Sequence, residues 1–521
     1  LDIFKRKQTP QTNEQGHEAF LDQTLYTVPG TNQKITWADS IEGTLILGAT
    51  GSGKSSGPGK FIARAMLRSG YGFCVLCAKP DERKRWESYI EAEGRSEDTV
   101  MFDQESGLQF DFLLYELKRE GAGAGDNLNM INGLMNLHEQ NKIYSGGGET
   151  KEEKFWDQST KRLISRSISF LKLAKEDVSI FNIRKIIAHC FQGDEADNFG
   201  TAKSDSLNSE LDEKTQLAAR TYVDDLAKTN FFVHTLEKIR KREFQSGSRE
   251  LEHSQMVIDY WLKEFPRMSE KTTSTIIETV MGIIEPFMNE GILNRQFSGG
   301  LSDELKPERI IQNSKIIIID FPIKEYGLAG VYAASIYKTT FQTAMERRDI
   351  EKETDPKPAA LWIDEYQNFC NPLVDSLFQT TARSAWAATV YITQNINNLY
   401  FVMGSQMPAA RAKALLGNLR LKYFANNDDP ETNHWASNMI GQHLTDTEQT
   451  SYGEGRSITK TKSQQMQYRL TPDHFTTLKT GRKANKYKVE VVIFKSGKRW
   501  NIQGLNGESE ERNYEIVAFD Q

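Results

Sequence analysis

Apolar residues fall into two patterns along this chain, and the order of the patterns divides it. Short continuous runs, as a strand buried on both faces requires, occur at Leu45-Ile46-Leu47 and at 71–78, 99–102, 315–320, 359–363, 389–393, 419–425 and 486–494. Over 112–294 these runs vanish and helical spacing replaces them. Ile164, Ile168 and Leu171 recur at i, i+4, i+7. The stretch 275–288 carries two adjoining ridges, Ile276/Val280/Ile283/Phe287 and Ile277/Met281/Ile284/Met288, which predict one helix. Polar, glycine-bearing stretches at 144–153 and 192–214 separate the helices. The pattern predicts an α/β fold with a mainly parallel sheet and an inserted all-α domain. Its parts are a polar tail (1–24), two sheet segments (25–111 and 295–521) and the insertion (112–294). Within the first segment, 25–42 predicts short strands and turns.

The first apolar run feeds the most specific motif. Gly48-Ala49-Thr50-Gly51-Ser52-Gly53-Lys54-Ser55 fits G-x-x-x-x-G-K-[ST] without a mismatch. Such glycines let the backbone curl, so that N–H groups converge on phosphate oxygens at a helix start whose dipole favours negative charge. In this pattern Lys54 reaches the β- and γ-phosphates of ATP and the Ser55 hydroxyl sits on Mg2+. The plain alternative is a Gly/Ser turn that matches by chance. Against it stand the strand before the motif and the helical spacing of Phe61, Ile62, Ala65 and Met66 after it. Pro58 and its flanking glycines predict an irregular start for that helix.

Further chemistry follows the later strands. Leu361-Trp362-Ile363 ends in Asp364-Glu365, where Asp364 suits a Mg2+ shell and Glu365 suits polarising an attacking water. Asp320 also closes an apolar run but lacks a second carboxylate, which makes it the weaker metal candidate. Gln394 closes the next strand, where a polar side chain senses a γ-phosphate. Arg383, between these strands, is either a surface arginine or a finger that enters a neighbouring subunit's site, as in ring ATPases.

Composition narrows this picture without redirecting it. The 521 residues, 38% of them hydrophobic, allow about three domains of a soluble protein. No run approaches the roughly 18 apolar residues of a membrane span, and no secretory signal opens the chain. A net charge of −6 gives no global nucleic-acid footprint, which leaves a local basic groove as the route to DNA. Cys74 and Cys77, two of four cysteines, lie three apart on a strand and face opposite sides. They read as core thiols of a reducing cytoplasm, not as a metal pair. Two basic runs, Arg83-Lys84-Arg85 and Lys238-Ile239-Arg240-Lys241-Arg242, are most simply solvated helix faces. The first also follows the C-terminal end of a parallel strand, where ligands approach α/β sheets.

In order and spacing these residues resemble the TraG/TraD-like coupling proteins of type IV secretion and conjugation, ATPases related to the FtsK and HerA motors. The resemblance spans about 44–497. It takes in the phosphate loop, Phe155-Trp156 near the start of the insertion, the Walker B pair Asp364-Glu365, Arg383, Gln394, Gly417-Asn418 and Asn427-Asp428-Asp429 with Ala436-Ser437 and Gly441. It implies a RecA-like P-loop NTPase fold and a homo-hexamer, with ATP and Mg2+ held between Lys54 and Ser55 of one subunit and Arg383 of the next. It implies translocation of single- or double-stranded DNA, a relaxase or effector cargo received by the all-α domain, and inner-membrane secretion components as partners. The implied place is the cytoplasmic face of the bacterial inner membrane. Two departures stand out. The family's membrane helices ahead of the motor are missing from this chain, so the anchor either precedes Leu1 or comes from a partner. Where many relatives read Asp-Pro-Lys-Gly-Glu, this chain has Cys77-Ala78-Lys79-Pro80-Asp81, which leaves the role of that loop open. The alternatives are an FtsK/HerA-type DNA translocase outside secretion, or a cargo receptor that uses nucleotide mainly for assembly.

Overall fold

All eight apolar runs enter one sheet. The computed structural model describes residues 19–144, 151–404, 407–452, 458–503 and 509–521. Its strands are β1 (Thr24–Thr27), β2 (Lys34–Thr36), β3 (Thr44–Leu47), β4 (Gly72–Leu76), β5 (Thr99–Phe102), β6 (Ile316–Ile319), β7 (Ala359–Ile363), β8 (Ala387–Thr393), β9 (Leu421–Ala425), β10 (Gln442–Tyr452), β11 (Ile458–Tyr468), β12 (Lys488–Lys495), β13 (Trp500–Gln503), β14 (Ser509–Arg512) and β15 (Tyr514–Asp520).

Nine of them form the order β15-β12-β9-β3-β8-β7-β4-β6-β5. From β9 to β5 every neighbour is parallel, while β12 runs antiparallel to both β9 and β15. Every residue of β3, β4, β6, β7, β8 and β9 is buried, because helices cover both faces of a parallel sheet. The ninth strand, β15, lies at an edge: its short apolar run, Ile516 to Phe519, includes the exposed Ile516 and is flanked by Glu515 and Asp520. Residues 25–42 add a short helix, Trp37–Ile41, to the expected β1–β2 pair. Thr36 and Asp39 cap it reciprocally at 3.0 and 3.2 Å.

The described residues divide into two compact units, one of Gln104–Lys306 with Ser335–Tyr337 and the other of the rest, sheet included. Among its described residues the first is built of helices, with one isolated bridge between Phe110 and Leu301. Phe170, Phe232 and Trp261 centre its core, with ring centroids 5.0 and 5.5 Å apart along that series. Two expectations change here. The helix expected over 275–288 starts earlier and ends earlier, as Glu270–Ile284, and a 3-10 turn Glu285–Phe287 follows because Pro286 supplies no N–H. The break expected over 192–214 contains a helix, Glu195–Asp205, seated by buried Ala196 and Phe199. In the other break, 145–150 lie outside the described residues, as do 1–18 of the tail. The second basic run is paired, with Lys238 on Glu176 (2.5 Å) and Arg242 on Glu250 (2.8 Å). No helix among the described residues is long and apolar enough to cross a membrane.

Candidate functional site

Strands β3, β8, β7 and β4 are adjacent and parallel, so the chain leaves all four at one edge of the sheet. There β3 delivers the loop Gly48 to Ser55, tied to the next strand's end where Ala49 N donates to Asn426 O at 2.8 Å. Gly51 and Gly53 adopt φ of +77° and +86°, values that favour glycine. At Gly53 a Cβ would also lie 2.5 Å from Cγ2 of Val489. The helix after the loop starts irregularly, as Pro58 predicts. Pro58 has no N–H for the Lys54 carbonyl, which accepts instead from Gly59 N at 2.9 Å. Ser55–Gly59 therefore forms a wider π-helical turn, and the α-helix runs from Lys60 to Arg68.

Across the edge, Ser55 Oγ donates to Asp364 Oδ2 at 2.8 Å, joining the phosphate loop to the end of β7. Asp364 Oδ1 accepts from the Glu365 backbone N–H at 2.9 Å. Glu365 takes a left-handed conformation (φ 52°, ψ 48°) and is 4% exposed. Its carboxylate accepts from Gln367 (2.7 Å) and Gln394 (3.2 Å), and it forms an ion pair with Lys79. Gln394 thus touches Glu365 directly, and its carbonyl accepts from Asn427 Nδ2 at 2.9 Å.

Burial alone would raise the Glu365 pKa, but the hydrogen bonds from Lys79 and Gln367 and the Lys79 and Lys54 charges hold it below the usual carboxylate value. Lys54 is 6% exposed, and burial pushes its ammonium pKa down against the opposing pull of Asp364 and Glu365. Arg85 Nη1 lies 3.7 Å from Asp364 Oδ2. Buried Glu82 accepts from Ala78 N at 2.8 Å. The first basic run is therefore no plain solvated face. The sequence signal for it was its position after a parallel strand's C-terminal end, which left Glu82 and Gln367 unmarked and Lys79 only as part of a loop whose role stayed open.

Two candidate residues stand elsewhere. Asp320 pairs with Arg83 (3.3 Å), which also holds Asp103 at 2.5 Å, so its carboxylate is engaged away from the Ser55–Asp364 contact. Arg383 precedes β8 and so lies at the opposite edge of the sheet, with Nη1 3.7 Å from Glu42 Oε1. The seven residues of β8 separate it from Gln394, on the order of 20 Å. A cavity of about 560 Å³ between β1 and the helix Lys60–Arg68 contains none of the candidate residues, and its Arg64 and Arg68 are paired with Glu93.

The residues present suit a phosphate group with a hard divalent cation. The glycine loop opens at a helix start, a hydroxyl and a carboxylate oxygen converge, and Ser52 Oγ is buried without a hydrogen-bond partner. No cluster of three metal-ligating side chains exists among the described residues. The Ser55–Asp364 pair suits Mg2+, which uses one or two protein ligands together with substrate phosphates.

Comparison with known proteins bears on the same elements. Residues 358–480 match the family model described as the TraM recognition site of TraD and TraG. That segment carries Asp364, Glu365, Arg383 and Gln394. The whole fold superposes on plasmid coupling protein TrwB in complex with the non-hydrolysable GTP analogue GDPNP, with a TM-score of 0.57 at 14% identity over 96% of this chain and 89% of that one. The chain has the fold of a TraG/TraD-like coupling protein. Two further TrwB structures agree with this TraG/TraD-like fold. The complex with ADP and Mg2+ gives 0.57 at 13% identity over 97% of this chain and 91% of that one. The complex with a non-hydrolysable ATP analogue gives 0.55 at 15% over 96% and 90%. No curated protein matches the sequence.

Proposed function

We propose that this chain is the ATP-hydrolysing motor of a conjugative coupling protein, which brings DNA with its relaxase, or a protein effector, to a type IV secretion channel. The observation that carries the reading is the convergence of Ser55 on Asp364 at 2.8 Å, beside Glu365 and a phosphate loop without a mismatch. The TraG/TraD-like fold and the TrwB complexes with ADP, Mg2+ and an ATP analogue support it. Lys54 and the loop backbone bind the phosphates, and Ser55 and Asp364 hold Mg2+, which would supply charge neutralisation at the β- and γ-phosphates. Glu365 accepts a hydrogen bond, and then the proton, from the attacking water, and Gln394 orients that carboxylate. Arg383, remote from its own loop, serves the next subunit of a hexameric ring. The family description supports a TraM-like protein partner for 358–480. The motor works at the cytoplasmic face of the inner membrane, through an anchor or a partner.

The test is phosphate release by the purified chain against protein concentration, with and without single- and double-stranded DNA. Glu365→Gln is expected to lower kcat by about a hundredfold or more while nucleotide still binds. Turnover that survives Glu365→Gln, or a specific rate flat with concentration and indifferent to DNA, would sink the motor reading. Strong stimulation by duplex DNA without any secretion partner would favour an FtsK/HerA-type translocase.

A further inference from the structure

Lys79 touches the candidate base, and the roles assigned above leave it unused. Its Nζ is paired with Glu365 Oε1, while Gln367 and Gln394 occupy Oε2 at 2.7 and 3.2 Å. Three donors therefore fill most of the roughly four acceptor sites of that carboxylate, which leaves little room for a water.

The local sequence dictates this placement. Pro80 restricts the residue before it to extended geometry, and Lys79 has φ −126° and ψ 148°. Pro80 then opens the helix Pro80–Ala92 at its first position, where a missing N–H costs nothing. Glu82 fastens the preceding turn through Ala78 N. Because Leu76 of β4 pairs with Ile363 of β7, Lys79 and Glu365 leave the sheet side by side. The charged groups around the Glu365 carboxylate are Lys79, Lys54 and Arg85 on one side of the balance and Asp364 on the other, with the buried, titratable Glu82 close by. The two lysines differ in freedom. Lys54 is buried, whereas the Lys79 side chain is 38% exposed on a flexible four-carbon stem.

We propose that Lys79 senses the terminal phosphate: it exchanges Glu365 for the γ-phosphate of a bound nucleoside triphosphate, and so releases the base only when a triphosphate fills the loop. A γ-phosphate carries more charge than one carboxylate and outcompetes it for the ammonium, whereas a diphosphate lacks the competing group and leaves the pair intact. This rests on the reading of Gly48 to Ser55 as a nucleotide site and of Glu365 as the base.

The test is equilibrium binding of ADP and of a non-hydrolysable ATP analogue, each with Mg2+, to the full chain as wild type, Lys79→Met and Lys79→Arg. Lys79→Met is expected to weaken the triphosphate analogue at least about tenfold and ADP by no more than about twofold, with Lys79→Arg restoring most of the difference. A lysine that merely holds the fold would shift both nucleotides together. Equal weakening of both, or no change in either, overturns the proposal. Wild-type chain that binds neither nucleotide, or binding indifferent to Lys54→Ala, would instead overturn the nucleotide-site reading beneath it.

Discussion

Glu82 is an acid held where an acid does not ionise easily. Burial, reinforced by the Asp364 charge, pushes its pKa from 4.5 up to about 8. Between those two values the folded chain retains a proton that the unfolded chain has lost, so this residue makes stability fall as pH rises through that window. Glu82→Gln removes the titration and keeps an acceptor for Ala78 N. The drop in Tm from pH 5 to pH 8 is expected to be smaller in the variant than in wild type, and thermal unfolding at both pH values checks it; parallel curves would refute the assignment. At this scale the sequence was legible where one short stretch carries a whole motif: Gly48 to Ser55 and Asp364-Glu365 do meet at one edge of the sheet. It was opaque for Lys79 and Glu82, whose importance comes from β4 lying beside β7. Nothing local announces that two strands nearly three hundred residues apart are neighbours.

Behind Glu365, elements are locked together by a buried ion pair. Lys338 and Asp375 are fully buried and paired at 2.8 Å, and the carboxylate also accepts from Gln342 (2.9 Å), Tyr366 (2.8 Å) and the Asn371 backbone N–H (2.9 Å). The Tyr366 ring stacks on Tyr391 with centroids 4.0 Å apart. This network fixes the residue that follows Glu365 against β8 and the helices Ile323–Glu346 and Pro372–Thr381. Lys338→Met strands a buried carboxylate and is expected to cost about 3–5 kcal/mol, with Lys338→Met/Asp375→Leu recovering part of it. Denaturant unfolding of both variants measures the difference, and a single variant as stable as wild type would contradict it. Elements with a dense local signal were readable: the central strands by their apolar runs, the π-helical turn by Pro58. The β10–β11 pair was not. Most of its described side chains are exposed, and even the apolar cross-strand neighbours Leu444 and Met466 are 61% and 60% exposed, so no burial pattern marks it.

For the whole molecule, the decisive arrangement is that Arg383 and the phosphate loop occupy opposite edges of one sheet. Glu42 sits at the Arg383 edge and holds Arg420 as well, at 3.2 Å. If Arg383 completes a neighbour's site, Lys54→Ala and Arg383→Ala chains, each inactive alone, regain activity when mixed, at about a quarter of the sites in a random ring. Mixtures that stay inactive at every ratio would overturn the assignment of Arg383 to a neighbour's site. The same sheet has a consequence for how the protein is made. The loop's own strand, β3, pairs only with β8 and β9, which the ribosome produces more than three hundred residues later. At ordinary rates of synthesis that is roughly 20–70 s, during which four residues destined for full burial have no partner strand. The helical unit is complete at Tyr337, about fifty residues before β8 begins, so its last residues are made while β3 still lacks both neighbours. A chain stopped short of β8 carries the entire phosphate-loop motif with nothing on either side to hold it in shape.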